Sequence, residues 1–279
     1  MQATSIFVPD GLNPDAALAR TTHLAIGAHP DDAEFMTWHA IGECRSAPDR
    51  WFTAVVITDG AGSPRGAGPQ LDAQQLRQTR REEARRAAVA GGYSALVMLD
   101  RTSAEARAAG GTIADELERL LLAARPRKLF THNPFDRHQT HLAVLLHAVA
   151  ALRRLPPQAR PEQVWGCEVW GSLDWLPEQE RTAFDVTAHE ALGVQLTSLH
   201  ASQLAGGKRY DLANPGRRRA NATFDRAREP DRHELAELAV DLTPLLRDPT
   251  LGVGTFAAGL VARFADEVRQ RLESATGKR

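Results

Sequence analysis

Short apolar runs that alternate with long amphipathic stretches are the feature of this sequence that most limits its fold. Each apolar run has the length of a buried strand, and each amphipathic stretch has the spacing of a helix that packs on one side. The pattern predicts βαβ units in an open, mostly parallel, Rossmann-like α/β sheet with helices on both faces. The predicted strands are 23–28, 52–58, 94–100, 127–132, 163–171 and 183–187, and the predicted helices are 33–47, 73–90, 112–125, 138–154, 188–205 and a last one after Thr255.

The composition is that of a globular protein with a full core. The chain has 279 residues, of which 43% are hydrophobic and 25% charged. Its net charge of −1 gives no general attraction to nucleic acid or to an acidic membrane surface. No run approaches the ~20 apolar residues of a membrane span, and no leader pattern is present. Two cysteines, Cys44 and Cys167, are too few for a disulfide framework, so we expect buried thiols and a cytoplasmic protein.

The segment GAHPDDAEF, residues 27–35, follows the first predicted strand and joins a histidine to two adjacent aspartates. As an ordinary strand-to-helix turn, it would use Pro30 to stiffen the chain and Asp31 or Asp32 to cap the helix amides. However, adjacent carboxylates repel each other unless a positive charge lies nearby. The segment therefore also indicates half of a divalent-metal site.

A second polar segment, THNPFDRHQTHLAV, follows the strand predicted at 127–132. His138 and His141 are three residues apart at the start of a predicted helix, so their side chains share one face. That face points to the same sheet edge as His29, because the carboxyl ends of parallel strands meet there. Zinc binds imidazole nitrogen and carboxylate oxygen, and a catalytic zinc keeps one position open for water. The two segments together predict a metal site.

Two further segments lie outside this pattern. Residues 59–70 are rich in Gly and Pro after a strand, which is typical either of a lid or substrate loop or of a disordered surface loop. Residues 206–224 combine turn residues with five basic side chains. Such a run is usually a solvated face, and contact with an anionic substrate or another subunit is the alternative.

Five motifs in this order resemble the PIG-L or LmbE-like deacetylases: AHPDDAEF, VITDG, RREEARRAA, DRHQTHLAV and LHASQ. The family includes the enzyme that de-N-acetylates N-acetylglucosaminyl-phosphatidylinositol and the mycothiol and bacillithiol deacetylases. The resemblance implies one LmbE-like domain over 1–279, with a catalytic core at about 20–205 and a basic, helical extension at about 206–279. It also implies zinc-dependent removal of an N-acetyl group from an N-acetylglucosamine-type amino sugar or its conjugate.

The resemblance assigns roles to individual residues. Asp31 would be the general base that takes a proton from the attacking water. His138, as a histidinium, would stabilise the oxyanion or protonate the departing amine. Arg80 and Asp59 match substrate-binding and supporting polar positions. The metal ligands would be His29, Asp32 and His141.

The chain departs from the family pattern at both motifs. Ala33 follows the aspartates, and Gln139 and Thr140 separate the two histidines, so an aspartate that could orient a neighbouring histidine is missing. Asp136 stands where the mycothiol enzyme has a tyrosine. These departures put the tuning of the ligands in question and argue against close equivalence to that enzyme.

Alternative functions remain open at the level of sequence. The protein could hydrolyse another amide or an ester, or bind a sugar through a metal without turnover, or use both motifs as metal-free turns. Asp31 favours catalysis, since a binding site needs no carboxylate beside its ligands. Iron(II), cobalt or manganese would suit the ligands as well as zinc, and a homo-oligomer is compatible with the sequence. Seven histidines are expected to be structural or at the surface, although His132 could reach the pocket rim: His23, His39, His132, His147, His189, His200 and His233.

Overall fold

The computed structural model describes residues 4–65, 70–108 and 110–275. Within these ranges, the strands are β1 Ser5–Phe7, β2 His23–Gly27, β3 Phe52–Thr58, β4 Ala95–Arg101, β5 Lys128–His132, β6 Gln163–Cys167, β7 Thr182–Asp185 and β8 Ala236–Asp241. They form one eight-stranded sheet in the order β1-β4-β3-β2-β5-β6-β8-β7. The inner strands, from β4 to β6 in this order, are parallel, whereas β1, β8 and β7 pair antiparallel at the two sides.

Helices cover both faces of the sheet, as the sequence predicts. In the described ranges they are α1 Pro14–Ala19, α2 Asp32–Met36, α3 Trp38–Arg45, α4 Ala73–Gly91, α5 Ser103–Arg107, α6 Ile113–Ala124, α7 Gln139–Arg154, α8 Glu190–Ser198, α9 Ala201–Ala205, α10 Tyr210–Thr223, α11 Pro244–Arg247 and α12 Val253–Ala275. None of them is long and apolar enough to cross a membrane.

Alternate residues of each strand enter two separate cores, because successive side chains of a strand point to opposite faces. In β2, Leu24 and Ile26 pack into the core that α6 and α7 cover, through residues such as Leu117 and Val144. Ala25 packs on the other face with residues of α3 and α4. Since both faces are buried, the strand is a continuous apolar run, which is why the sequence signal for it is strong.

The predictions are accurate for the inner strands and less so at the edges of the sheet. Strands β1 and β8 were not predicted, and two predicted helices are each broken into two, at Thr37 and at 199–200. The segment 206–224 contains α10 in addition to turns. The predicted loop at 59–70 is described except for residues 66–69, which lie outside the described residues.

The sheet reverses its strand order between β2 and β5. From β2 the chain proceeds to β3 and β4 on one side, and from β5 it proceeds to β6 on the other, while β2 and β5 themselves are parallel neighbours. A crevice opens at such a point, beyond the carboxyl ends of the two strands, and open α/β sheets bind their ligands there. Both histidine motifs follow these two strands, so the topology brings them together.

Candidate metal and active site

The turn after β2 is closed by Asp32, the first residue of α2. Its Oδ2 accepts a hydrogen bond from the backbone N–H of His29 at 2.7 Å. Gly27 allows this turn to approach the strand, because a Cβ there would lie 3.0 Å from Cβ of Asp32. Asp31 holds the position before the helix but makes no side-chain capping hydrogen bond. The expected capping role is therefore wrong, and both carboxylates are directed to other partners.

The turn after β5 ends at His138, which does cap its helix. The backbone N–H of Thr140 donates to Nδ1 of His138 at 3.2 Å. The backbone N–H of His138 donates in turn to Oδ1 of Asp136 at 2.8 Å. His141, in the first turn of α7, is fully buried. These bonds fix the direction in which both imidazoles leave the helix.

Three donor atoms from the two turns converge. Nδ1 of His29 lies 3.1 Å from Nε2 of His141 and 3.2 Å from Oδ2 of Asp32. The remaining distance, from Nε2 of His141 to Oδ2 of Asp32, is 3.4 Å. Ligands at the usual zinc bond lengths in a tetrahedral site lie about 3.3 Å apart. The donor set and its spacing therefore fit a divalent metal such as zinc.

His132 lies beside these donors but is not placed as a ligand. Its ring stacks on that of His141, with centroids 3.9 Å apart, and its Nε2 lies 3.4 Å from Oδ2 of Asp32. However, the backbone N–H of Ala28 donates to the same Nε2 at 3.0 Å, which occupies the lone pair that a metal would need. Burial lowers the pKa of His132 to about 4, so the ring is neutral near pH 7. His132 is fully buried next to the donor atoms, and it is not among the residues that line the cavity.

The electrostatics of the site favour an ionised Asp32. Burial alone would raise the pKa of its carboxyl, but the imidazoles of His141, His29 and His132 outweigh burial and hold the pKa well below its ordinary value. Burial would likewise lower the pKa of His141, whereas Asp32 and Asp136 together raise it. A buried carboxylate that faces several imidazole nitrogens is the charge arrangement expected around a cation.

Asp136 supplies the orienting carboxylate that the sequence motif lacks. Its Oδ2 lies 3.2 Å from Nδ1 of His141, on the side of the ring opposite Nε2. The same oxygen accepts from the backbone N–H of Trp170 at 3.1 Å. The sequence motif predicts that no aspartate orients a ligand histidine. This is correct for the two residues between the histidines, but in the folded protein Asp136 takes that place. A carboxylate in this place fixes the tautomer of a ligand histidine.

Asp31 and Arg80 form a buried pair at the floor of the site. Nη2 of Arg80 lies 2.9 Å from Oδ1 of Asp31, and both side chains are almost fully buried. Arg80 also donates to the backbone oxygen of Gly60 at 3.1 Å and to the hydroxyl of Ser63. Arg80 therefore connects the first motif to the loop that begins at residue 59.

Asp59 lies at the start of this loop and outside the cavity lining. Its Oδ2 is 2.7 Å from Nη2 of Arg77, and its Oδ1 accepts from the backbone N–H of Ala61 at 3.0 Å. These contacts shape the loop. Direct contact of Asp59 with a substrate stays a prediction.

A cavity of about 510 Å³ opens above these groups, within the usual range for small-molecule sites. His29, Asp31, Asp32 and His138 line its floor. Its walls come from separate loops and short helices. They include parts of the segments 59–70 and 206–224, for which a substrate role was one of two alternatives, whereas residues such as Phe35 and Trp170 were not predicted. Arg80 lies at the floor with Asp31, and the wall residues are Phe35, Gly60, Gly62, Ser63, Pro64, Ser103, Arg107, Val169, Trp170, Gln203, Lys208 and Tyr210.

His138 faces this cavity as a neutral imidazole. Burial, together with the neighbouring His29 and His141, lowers the pKa of His138 to about 4. Since Nδ1 accepts from the backbone N–H of Thr140, the proton of the neutral ring is on Nε2. The lowered pKa favours a neutral N–H donor, whereas the sequence predicts a histidinium; the role of His138 stays a prediction.

Part of the chain matches a known protein family. The profile of the PIG-L family, described as GlcNAc-PI de-N-acetylase, matches residues 24–152, the stretch that contains both motifs. Just under half of the chain is therefore similar to the PIG-L family. A search of curated protein sequences found no match to the chain.

Solved structures with similar folds extend beyond the matched PIG-L segment. N,N'-diacetylchitobiose deacetylase from Pyrococcus horikoshii has 17% sequence identity and a TM-score of 0.63, over 82% of this chain and 86% of that one. The conserved protein TT1542 from Thermus thermophilus has 21% identity and a TM-score of 0.64, over 83% and 99%. The 4-carboxy-2-hydroxymuconate hydratase from Pseudomonas putida has 18% identity and a TM-score of 0.55, over 80% and 96%. At these identities the likeness shows the fold, and the fold serves more than one reaction.

Proposed function

We propose that this protein is a metal-dependent hydrolase that removes the N-acetyl group from an N-acetylglucosamine-type amino sugar or its conjugate. One observation carries the proposal: His29, Asp32 and His141 converge at the strand-order reversal while Asp31, next to a ligand in sequence, faces the cavity. A protein that only binds a sugar through a metal would need the converging ligands but not the carboxylate of Asp31. The PIG-L match and the deacetylases among the structural neighbours support the same reaction.

His29, Asp32 and His141 would hold the metal, with zinc the first choice for two imidazoles and a carboxylate. A divalent cation there lowers the pKa of water and polarises an amide carbonyl, which is a poor electrophile without such help. Asp136 would keep Nε2 of His141 in place as a metal ligand, because its carboxylate lies against Nδ1 on the far side of the ring.

Asp31 accepts the proton of the attacking water and returns it to the departing amine as the C–N bond breaks. Arg80 holds Oδ1 of Asp31, which fixes the carboxylate at the cavity. General-base catalysis depends on a carboxylate in this position, close to the ligands and not among them. The separation of roles between Asp31 and Asp32 follows from their contacts, since Asp32 is enclosed by imidazoles and Asp31 by a guanidinium.

His138 stabilises negative charge on the substrate oxygen. Its Nε2–H is directed by the hydrogen bond that Nδ1 accepts from the backbone N–H of Thr140. A neutral donor needs no proton uptake before the reaction, so its action does not depend on acidic conditions. Removal of one such donor costs about 3 kcal/mol of transition-state stabilisation in other hydrolases.

Acetate release tests the proposal directly. Protein stripped of metal and reloaded with zinc is incubated with a series of N-acetylglucosamine derivatives. We expect acetate from the loaded protein, none after chelation, and recovery when zinc is returned. Asp31→Asn should lower kcat about 10²- to 10⁴-fold without loss of zinc content, because only the base is removed. Asp49→Asn is the matched control, as it removes an exposed carboxylate outside the cavity.

Two results would contradict the proposal at different points. Full activity in an Asp31→Asn protein that retains zinc would remove Asp31 as the base. A parent protein that binds zinc and releases no acetate from any amino sugar would exclude deacetylation, and the other amides and esters in the same assay would then identify the bond that is cleaved.

A further inference from the structure

The helix that follows the segment 27–35 is interrupted at Thr37, close to the proposed metal site. α2 is only five residues long and begins with Asp32, directly after Asp31, and α3 begins at Trp38. Residues 33–41 contain no Gly or Pro, so the sequence itself has no strong signal that would end a helix here. The break must therefore be held by contacts from elsewhere in the fold.

The break removes two helical hydrogen bonds. A continuous helix would bond the backbone N–H groups of Trp38 and His39 to the carbonyl oxygens four residues earlier. Instead, the oxygen of Glu34 accepts the indole N–H of Trp38 at 2.7 Å. The oxygen of Phe35 accepts a hydrogen bond from Nη2 of Arg218 at 2.8 Å. A side chain of α10 thus takes the place of a helix amide.

The two released N–H groups are bound by Glu237, on β8. Its Oε1 accepts from the backbone N–H of Trp38 at 2.8 Å, and its Oε2 accepts from that of His39 at 2.9 Å. A carboxylate satisfies the first amides of a helix and complements its dipole, and a guanidinium does the same for the last carbonyls. Glu237 therefore caps the start of α3, and Arg218 caps the end of α2.

The two capping residues also bind each other. Nη2 of Arg218 pairs with Oε1 of Glu237, and the guanidinium carbon lies 3.8 Å from the centre of the Trp38 ring. Only 3% of Arg218 and 7% of Glu237 is exposed. Because burial of two charges is costly, such a pair contributes little net stability. What it supplies is a fixed geometry at the break.

We propose that Arg218 and Glu237 are positioning residues for the metal site. They hold the chain as two helices at Thr37 and so direct α2, which places Asp32 at the metal and Asp31 at the cavity. Without them, the stretch relaxes towards the continuous helix that the sequence favours. This interior role of Arg218 differs from both alternatives for the segment 206–224. The inference rests on the proposed function for the metal site, but metal binding is measured without turnover.

Zinc affinity, measured by competition with a chromophoric chelator, reports the placement of the ligands. In Arg218→Met we expect the affinity to fall about tenfold, the lower end of the usual effect when the support of a ligand is lost. Cobalt(II) bound in place of zinc should show a changed visible spectrum, because its absorption follows the coordination geometry. Arg219→Met is the control, since it deletes the next arginine of α10, which is exposed and paired with Glu190. It should retain the parent affinity and spectrum.

Two more variants separate positioning from stability. Arg218→Met leaves the carboxylate of Glu237 buried without its cation, which destabilises the fold in itself. The double variant Arg218→Met/Glu237→Met removes both charges, so its free energy of unfolding should recover towards the parent value while zinc affinity stays low. Glu237→Gln can accept only one of the two N–H groups and should also lower zinc affinity. It decides the question if Arg218→Met does not fold.

Parent-like zinc affinity and cobalt spectrum in a folded Arg218→Met or Glu237→Gln protein would overturn the inference. So would a double variant whose zinc affinity recovers together with its stability. The acetate assay separates this inference from the proposed function. Weakened zinc binding in the variants, with no acetate from the parent, would retain the positioning role and exclude the deacetylase. Acetate from the parent, with normal zinc binding in the variants, would do the reverse.

Discussion

The carboxylate of Asp136 is shared among three partners at the second motif. It accepts from the backbone N–H groups of His138 and Trp170 and lies against Nδ1 of His141. One residue thus joins the proposed oxyanion donor, a proposed metal ligand and the aromatic wall. The sequence predicts that His29, Asp31, Asp32, His138 and His141 meet, and they do. It could not predict Asp136, because this contact depends on how the chain turns between β5 and α7.

Asp136→Asn tests this position. Asparagine keeps the size of the side chain and can still accept from the backbone, but it loses the negative charge behind His141. We expect zinc affinity to fall about 10- to 100-fold, the usual effect of removing a carboxylate that supports a ligand histidine. Competition with a chromophoric chelator measures this without any substrate. Arg137→Gln, an exposed neighbour, should retain the parent affinity. An unchanged zinc affinity in Asp136→Asn would show that the contact between Asp136 and His141 does not contribute to zinc binding.

Among the elements, α8 approaches α3 more closely than any ordinary side chain would allow. A Cβ at Gly193 would lie 2.0 Å from Cδ2 of Trp38, and one at Gly42 would lie 2.3 Å from Cγ of His189. Trp38 is itself fixed, because its indole N–H donates to the backbone oxygen of Glu34 at 2.7 Å. The break of the predicted helix at Thr37 places Trp38 for this contact. Hydrophobic periodicity continues across the break, which is why the sequence predicts one helix there.

Gly193→Ala should therefore destabilise the protein although alanine is the better helix former. The gain in helix propensity is about 1 kcal/mol, and forcing extra volume into packed contacts costs about 1 to 3 kcal/mol. We expect a net loss of about 1 kcal/mol or more in the free energy of unfolding, measured by urea titration. Gly216→Ala in α10 is the control, since no atom lies within 4 Å of its added Cβ. A stabilised Gly193→Ala would mean that α8 can move away from Trp38.

Across the whole molecule, strands that are buried on both faces are predicted from the sequence more accurately than strands at the edges of the sheet. The inner strands are apolar on both sides and were predicted within one or two residues at most ends. Strand β1 has only three partly buried residues. Strand β8, in the sequence HELAELAVDL, is rich in residues that favour helices, and it is a strand because β6 and β7 pair with it. Parts of the cavity wall lie in the segments 59–70 and 206–224, whose composition left a substrate role open, but Phe35 and Trp170 reach the wall through the packing of distant segments, which no local pattern reveals.

Stability should decrease as the solution becomes acidic. Burial lowers the pKa of His23 to about 4, and Glu43 only partly opposes this. Between the folded value and the ordinary value of 6.5, the unfolded chain binds more protons than the folded one, so the free energy of unfolding falls as pH falls through this window. From about pH 7 to about pH 5, we expect His23 to account for about 2 kcal/mol of this loss.

Urea unfolding at the two pH values measures this loss. In His23→Gln the difference between them should shrink by the amount attributed to His23, because glutamine does not titrate. His233→Gln, which removes a partly exposed histidine, should leave the difference in place. If the free energy of unfolding of His23→Gln depended on pH as it does in the parent, the loss of stability would come from other titrating groups.

The pairing of β2 with β5 also has a consequence for folding. His29 and His141 are separated by 112 positions in the chain, so the donor set exists only after this long-range pairing has formed and a long loop has been closed. An ion bound there stabilises the native sheet and has little to hold it in the unfolded chain. During refolding, the moment at which zinc is taken up should therefore report when the two halves of the sheet join.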